Sequence, residues 1–296
     1  MIDQLNQTHG SESISFSSGQ GGLPKADIRN DLGSAEIYLH GAHVTAFQPN
    51  GQEPVLWMSG IADFEPPKPI RGGIPICWPW FGPHPLEVAK PAHGFVRNRE
   101  WKVESTTENP DGTSTIVLST TDDESSHKLW DFPFALELTL TVGTELKLAL
   151  NCRNSGARPI VVATALHTYF AIKSIDDISI SGLNGRQYHD QLESMATKVQ
   201  VGDISIREEV DRIYIDTEDT CVIDDPGMGR KIRVAKEGSN STVVWNPWIA
   251  KAGRMADYPN EGYKTMVCIE TTNAAKDARR IDPGDVHTIS QTVSVE

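Results

Sequence analysis

Ionisable side chains carry the most chemical meaning where an apolar or rigid stretch would take them out of water. His167 stands in Ala165-Leu166-His167-Thr168-Tyr169-Phe170, and Glu270 ends the apolar run Met266-Val267-Cys268-Ile269. Burial at such places moves a pKa away from its ordinary value. A histidine and a carboxylate brought together make a general acid and a general base usable near neutral pH. Each residue also has a plain structural reading, His167 as a hydrogen-bonded core histidine and Glu270 as a strand-end carboxylate facing solvent. Four further polar residues sit in stiff or apolar contexts. Arg71 opens Arg71-Gly72-Gly73, His93 and Arg97 bracket His93-Gly94-Phe95-Val96-Arg97, and Asp211 lies in Val210-Asp211-Arg212-Ile213-Tyr214.

Other chemistries lack their residues. His40 and His43 are three apart, and on a strand that spacing points them to opposite faces, so they do not converge on a metal. No G-x-G-x-x-G or Walker pattern and no G-x-S-x-G elbow occurs. The four cysteines, Cys77, Cys152, Cys221 and Cys268, form no C-x-x-C pair and each sits in a strand-like stretch. They read as buried reduced thiols rather than as a zinc site or a disulfide framework. Neither a metal nor a cofactor is expected. The formal net charge is −13, and an acidic surface repels phosphate backbones and anionic lipid, which argues against nucleic-acid and membrane partners. The first 20 residues hold no apolar secretory core and the apolar stretch around Ile160–Leu166 is too short to span a bilayer, so a cytoplasmic protein is expected.

Strands must position these residues. Phe134-Ala-Leu136-Glu-Leu138-Thr-Leu140-Thr-Val142 alternates strictly, Leu146-Lys-Leu148-Ala-Leu150 alternates again, and Gly143 lies between them. That is a hairpin with one buried face. Short runs of the same kind recur at 35–39, 44–47, 55–58, 115–119, 178–180, 221–223, 232–235, 242–245, 266–269 and 286–295, separated by turns such as Asp282-Pro283-Gly284. No stretch keeps a helical period for three turns, and only Asp190–Lys198 suggests a short helix. The expected fold class is all-β, one large antiparallel sandwich over residues 26–296, with residues 1–25 a loose polar segment or an edge. Residues 66–101 depart from strand chemistry. Seven prolines fall between Pro66 and Pro85, with Trp78, Trp80, Phe81 and Phe95 among or after them. A backbone so poor in ladder donors suits a rigid loop lining a pocket. The tryptophans of this loop and of Val244-Trp245-Asn246-Pro247-Trp248 are the candidates for stacking on a sugar.

Taken together, the motifs resemble those of the aldose 1-epimerase family, in its hexose-phosphate mutarotase branch. The resemblance rests on Arg71-Gly72-Gly73-Ile74-Pro75-Ile76-Cys77-Trp78-Pro79-Trp80-Phe81-Gly82-Pro83 and Pro91-Ala92-His93-Gly94-Phe95-Val96-Arg97. It continues in order through Ala165–Phe170, Asp211–Tyr214, Val244–Pro247 and Gly262–Glu270, and spans residue 30 or so to the C-terminus. It implies the galactose-mutarotase type of sandwich and a cofactor-independent interconversion of the α and β anomers of a hexose 6-phosphate, glucose 6-phosphate first. By motif match Glu270 would be the general base and His167 the general acid. His93 would hold the sugar near its anomeric centre, Asp211 would bind hydroxyls, and Arg71 and Arg97 would hold the phosphate. Ala92 stands where some relatives carry Gln. A monomer is expected. Two alternatives stay open: a mutarotase of a free aldose, which gives no reason for two arginines, and a non-catalytic sugar-phosphate-binding protein, which gives no reason to keep both His167 and Glu270.

Overall fold

The alternating run from Phe134 becomes the strand Phe134–Val142, paired with Glu145–Asn154 in register from Phe134 opposite Asn154 to Val142 opposite Leu146. Gly143 and Thr144 make the connection. Every second side chain is buried, as a half-buried pleat requires. The computed structural model describes all residues 1–296. In it this hairpin lies within an eight-stranded antiparallel sheet, the scaffold sheet. Its order is Ser179–Ser181, Cys221–Asp225, Arg230–Glu237, Val286–Val295, Glu145–Asn154, Phe134–Val142, Ser114–Thr121, Lys102–Glu108.

A second eight-stranded sheet, the site sheet, runs Ala196–Val199, Gln187–Asp190, Val210–Ile215, Ser241–Asn246, Met266–Asn273, Thr164–Leu166, Ile76–Cys77, with Tyr169–Ala171 also paired to Met266–Asn273. A four-stranded sheet of Ile14–Ser18, Pro24–Arg29, Gly33–Tyr38 and His43–Pro49 and a two-stranded ribbon complete the β structure. Helices are confined to Ile2–His9, Glu124–Leu129 and Trp248–Ala252 plus short 3-10 turns. The fold is the all-β sandwich expected. One apolar core of 54 buried residues draws on all three large sheets.

The middle of the site sheet is covered on both sides. Along Met266–Asn273 all eight residues are buried. Val267 and Ile269 join the main core, while Met266 and Cys268 belong to a second cluster of 12 buried residues that includes Trp57, Tyr169, Trp245, Tyr258 and Tyr263. The pleat sends Glu270 to that second side. No helix is long and apolar enough to cross a membrane. All four cysteines are free and buried.

Three segments differ from expectation. Residues 1–25 are not loose: they hold the helix Ile2–His9 and the edge strand Ile14–Ser18, whose Ile14 and Phe16 enter the core. Their polar composition hides two well-spaced apolar anchors. Asp190–Lys198 is not a helix. The Asp190 carboxylate accepts from the Leu192 N–H at 3.1 Å, a 3-10 turn follows over Gln191–Glu193, and Ser194 and Met195 take left-handed φ of 51° and 64°. The chain then doubles back as Ala196–Val199. Residues 55–58 form only isolated bridges, Leu56 to Phe170 and Met58 to Gly72.

Candidate active site

Glu270 lies on Met266–Asn273, and His167 directly follows the neighbouring strand Thr164–Leu166. Leu166, just before His167, lies opposite Thr271, and the His167 N–H donates to the Pro75 carbonyl at 3.0 Å. This leaves His167 Nε2 at 3.4 Å from Glu270 Oε1, with both residues buried. His167 Nδ1 and Glu270 Oε2 have no hydrogen-bond partner. Burial pushes the Glu270 carboxyl well above its ordinary range, and the charge of Asp211 adds to this. Burial likewise pushes the His167 imidazole well below its own, with His93, Arg97 and Arg71 adding to the effect. The two therefore behave as one titrating unit. Both shifts favour the neutral form of the pair, with the carboxyl protonated and the imidazole uncharged.

Both sit at the floor of a pocket of about 390 Å³ whose wall also includes Arg71, His93, Arg97 and Asp211. All six residues singled out in the sequence meet there. The proline-rich loop supplies Phe81, Gly82, Pro83 and Ala92 to the same wall. Its close packing depends on glycine. Gly73 has φ of 59° and a Cβ there would lie 2.1 Å from the Val44 carbonyl oxygen; Gly94 has φ of 74° and its Cβ would lie 1.8 Å from that of Trp78. A side chain at Gly73 would lift the loop away from His43–Pro49, and one at Gly94 would push the two limbs of the loop apart.

His93 is pinned beside Gly82. Its N–H donates to the Gly82 carbonyl at 2.7 Å, and its Nδ1 accepts from the Gly82 N–H at 3.3 Å. Burial lowers its pKa to about 3, so the ring is neutral with its proton on Nε2. Asp211 accepts from the Gln191 amide and faces Lys251 Nζ at 3.5 Å, and Lys251 also reaches Glu209 at 3.5 Å. Burial raises the Asp211 carboxyl, an effect that Lys251 and Gln191 oppose.

The two arginines are not equivalent. Arg71 Nε donates to Asp257 Oδ2 at 3.1 Å, its Nη2 lies 3.1 Å from the same oxygen in an ion pair, and its Nη1 donates to the Tyr169 hydroxyl at 3.1 Å. Burial works against its charge, but Tyr169 and Asp257 outweigh burial and hold the guanidinium above its ordinary value. Arg97 donates from Nη2 to the Ala92 carbonyl at 3.0 Å, its Nε is unpartnered, and it forms no ion pair. Burial pushes its pKa down. A buried cation without a counter-ion is costly, and an anion entering the pocket would relieve that cost. The main chain of Ala92 is what Arg97 uses, so a residue with no polar side chain serves there.

Ligand atoms of His167, Cys268 and Glu270 lie within 4.8 Å of one another, the one grouping that could hold a metal ion. Burial pushes the Cys268 thiol well above its ordinary range, with the Glu270 charge adding. A cation there would have to strip protons that the dry pocket retains, beside two guanidinium groups.

The sequence did not single out Tyr169, Gln191, Lys251 or Met255, which also line the pocket. Tyr169 lay in plain view two residues from His167, on the same side of an extended chain. Gln191 and Lys251 follow from no local pattern. Of the aromatic candidates, Trp245 and Phe81 reach the pocket, while Trp78 and Trp80 fill the main core.

A family model described as aldose 1-epimerase matches residues 24–294. A protein of Escherichia coli (strain K12), named as a candidate glucose-6-phosphate 1-epimerase, is 35% identical over 262 residues, 88% of this chain and 86% of that protein. A crystal structure of a candidate mutarotase from Salmonella typhimurium superposes with a TM-score of 0.90 at 29% identity, covering 100% of this chain and 99% of that one. A galactose mutarotase-like protein from Clostridium acetobutylicum shares the fold, with a TM-score of 0.77 at 14% identity, over 96% of this chain and 98% of its own.

Proposed function

The chain belongs to the aldose 1-epimerase family, and on that premise we propose that it interconverts the α and β anomers of a hexose 6-phosphate, with glucose 6-phosphate the first substrate to test. One observation carries the reading: a carboxyl and an imidazole converge within 3.4 Å at the floor of a pocket whose wall holds Arg97, a buried cation with no counter-ion.

Ring opening takes a proton from O1 and delivers one to O5. Those oxygens share one carbon, so base and acid must stand side by side, as Glu270 and His167 do. The neutral pair and the ion pair hold the same single proton. Its transfer from Glu270 to His167 gives the carboxylate that accepts the O1 proton and the imidazolium that protonates O5. Opening leaves Glu270 protonated and His167 neutral, the form that burial favours. Rotation about C1–C2 and reversal of both transfers closes the other anomer. Positioned acid and base groups each supply about 10²–10⁴-fold, and the step needs no covalent intermediate. His93 Nε2–H would donate to an oxygen near the anomeric centre, and Asp211, oriented by Gln191, would accept from sugar hydroxyls. Arg97 and the remaining reach of Arg71 would take the phosphate, since a guanidinium fork matches two phosphate oxygens. Lys251 adds a third cation to the same wall. Four free thiols suit a reducing compartment, and we place the enzyme in the cytoplasm.

The test is anomer exchange of glucose 6-phosphate, followed by NMR saturation transfer with and without the protein. Exchange accelerated for glucose 6-phosphate and much less for glucose is expected. No acceleration for any hexose phosphate would leave only a binding protein. Equal acceleration of phosphorylated and free sugar would favour the free-aldose reading.

A further inference from the structure

Buried histidines are ordinarily oriented by a hydrogen bond at the ring nitrogen that does no chemistry. His167 has none, because its Nδ1 is unpartnered. Neighbouring rings fix it instead: Trp245 and His93 meet it near-perpendicularly at 5.9 and 5.8 Å, and a third neighbour lies flat against it. The Tyr169 ring lies parallel to the imidazole, at 4.8 Å between centroids and 8° between planes. Tyr169 is itself held on three sides. Trp57 stacks on it at 6.0 Å and 18°, Trp245 presents its edge at 5.8 Å and 77°, and its hydroxyl accepts from Arg71 Nη1 at 3.1 Å. The residue between them turns the other way, with Thr168 Oγ1 donating to Gln291 Oε1 at 2.8 Å. His167 and Tyr169 thus move as neighbours on one face of one chain segment.

We propose that Tyr169 is a positioning residue that acts through His167: its ring sets the imidazole plane against Glu270, and its hydroxyl ties that plane to Arg71. This rests on the hexose-phosphate reading above. A rotation of His167 out of line would have to displace Tyr169, and Tyr169 cannot shift without giving up its bond from Arg71. An anion drawn to Arg71 steadies the far end of the same stack. The phosphate, remote from C1, would then serve the proton transfers as well as affinity, which is how remote binding energy enters a rate constant.

The two halves of Tyr169 separate by substitution. Tyr169→Phe keeps the stack and removes the hydroxyl, and should raise KM for glucose 6-phosphate about three- to tenfold with a smaller change in kcat. Tyr169→Leu removes the flat face, and should lower kcat about ten- to a hundredfold, because small misplacements of a reacting group are costly. The ¹⁵N signals of the His167 ring, assigned through His167→Gln, supply a readout independent of turnover. They should report one fixed environment in the parent, a shifted but still single one in Tyr169→Phe, and averaging in Tyr169→Leu. Should the leucine variant fail to fold, Arg71→Ala releases the stack from outside the apolar cluster and should also move those signals. Identical kcat and KM changes in the two Tyr169 variants, or His167 signals unmoved in both Tyr169→Leu and Arg71→Ala, would overturn the proposal. A parent protein that fails to exchange hexose-phosphate anomers while these signals behave as described would instead remove the functional reading and leave the positioning intact.

Discussion

The two large sheets are built from the same element and bury it differently. In the scaffold sheet, Phe134–Val142 alternates between core and surface, and the outward positions carry Glu137, Thr139 and Thr141. In the site sheet, Met266–Asn273 is buried along its whole length, one side in the main core and the other under the pocket. A strand with one wet face can place a carboxylate only in water. A strand covered on both faces can place it where desolvation makes it reluctant to ionise. The chemistry is thus located by what covers the second face, and the difference predicts that the two sheets fail in different ways when altered.

The largest effect should fall on the site sheet and leave the fold alone. Glu270→Gln and His167→Ala are each expected to lower turnover about 10²–10⁴-fold, with the double variant little worse than either single one, since groups acting as a unit are not additive. Both variants should fold, with melting temperatures no lower than that of the parent. Fully additive losses would break the claim of a shared proton. Leu138→Ala tests the opposite corner. Leu138 is fully buried in the scaffold sheet, and its truncation should cost about 2–5 kcal/mol of stability while the folded enzyme keeps its kcat. Urea unfolding and turnover on the same sample decide it.

Next in size are the arginines. Arg97→Ala should reduce the ratio of kcat/KM for glucose 6-phosphate to that for glucose about ten- to a hundredfold, the value of a charge-assisted bond. Arg71→Ala should reduce it less, because Asp257 already neutralises that guanidinium. Equal losses on both sugars with a lowered melting temperature would make these residues structural. The smallest expected signal is in the pH profile, taken on glucose so that no substrate phosphate titrates. The acid limb marks a second proton reaching His167 and should lie well below the ordinary imidazole value of 6.5. The alkaline limb marks loss of the Glu270 proton and should lie well above the ordinary carboxyl value of 4.5. The plateau is therefore broad. The same directions bear on stability: a carboxyl raised by folding favours the native state most at low pH and loses that contribution as pH rises. Glu270→Gln should accordingly gain on the parent in melting temperature between pH 5 and 8. A narrow bell would refute the burial of the pair.

The scaffold sheet could be read from the sequence because its alternation is a local signal that water enforces. Phe134–Val142, its turn and its partner all fall where the pattern predicts. The continuous burial of Met266–Asn273 offered no such pattern, and Glu270 stood out by being the wrong residue for its run. The family-like motifs brought Arg71, His93, Arg97, His167, Asp211 and Glu270 to one pocket, yet could not show that Arg71 is already paired and Arg97 is not. That difference depends on Asp257, 186 residues away in the chain. Gln191 was hidden for a related reason. Its turn looks helical locally and is resolved only by the pairing of Ala196–Val199 with Gln187–Asp190. Of the two readings of residues 1–25, the edge holds and the loose segment does not, because composition averages over Ile14 and Phe16, which anchor the edge strand in the core.

The double cover of Met266–Asn273 also bears on how such a pocket can change over time. Its floor belongs to the sandwich interior, so a substitution there that adapts the pocket to a new sugar disturbs the packing on which the whole molecule depends. Gln191, on a short turn, and Lys251, near the end of the helix Trp248–Ala252, carry no such debt to the interior. Divergence toward other aldoses is therefore channelled to the rim, and libraries aimed at altered substrate range should be drawn there while the floor is left untouched.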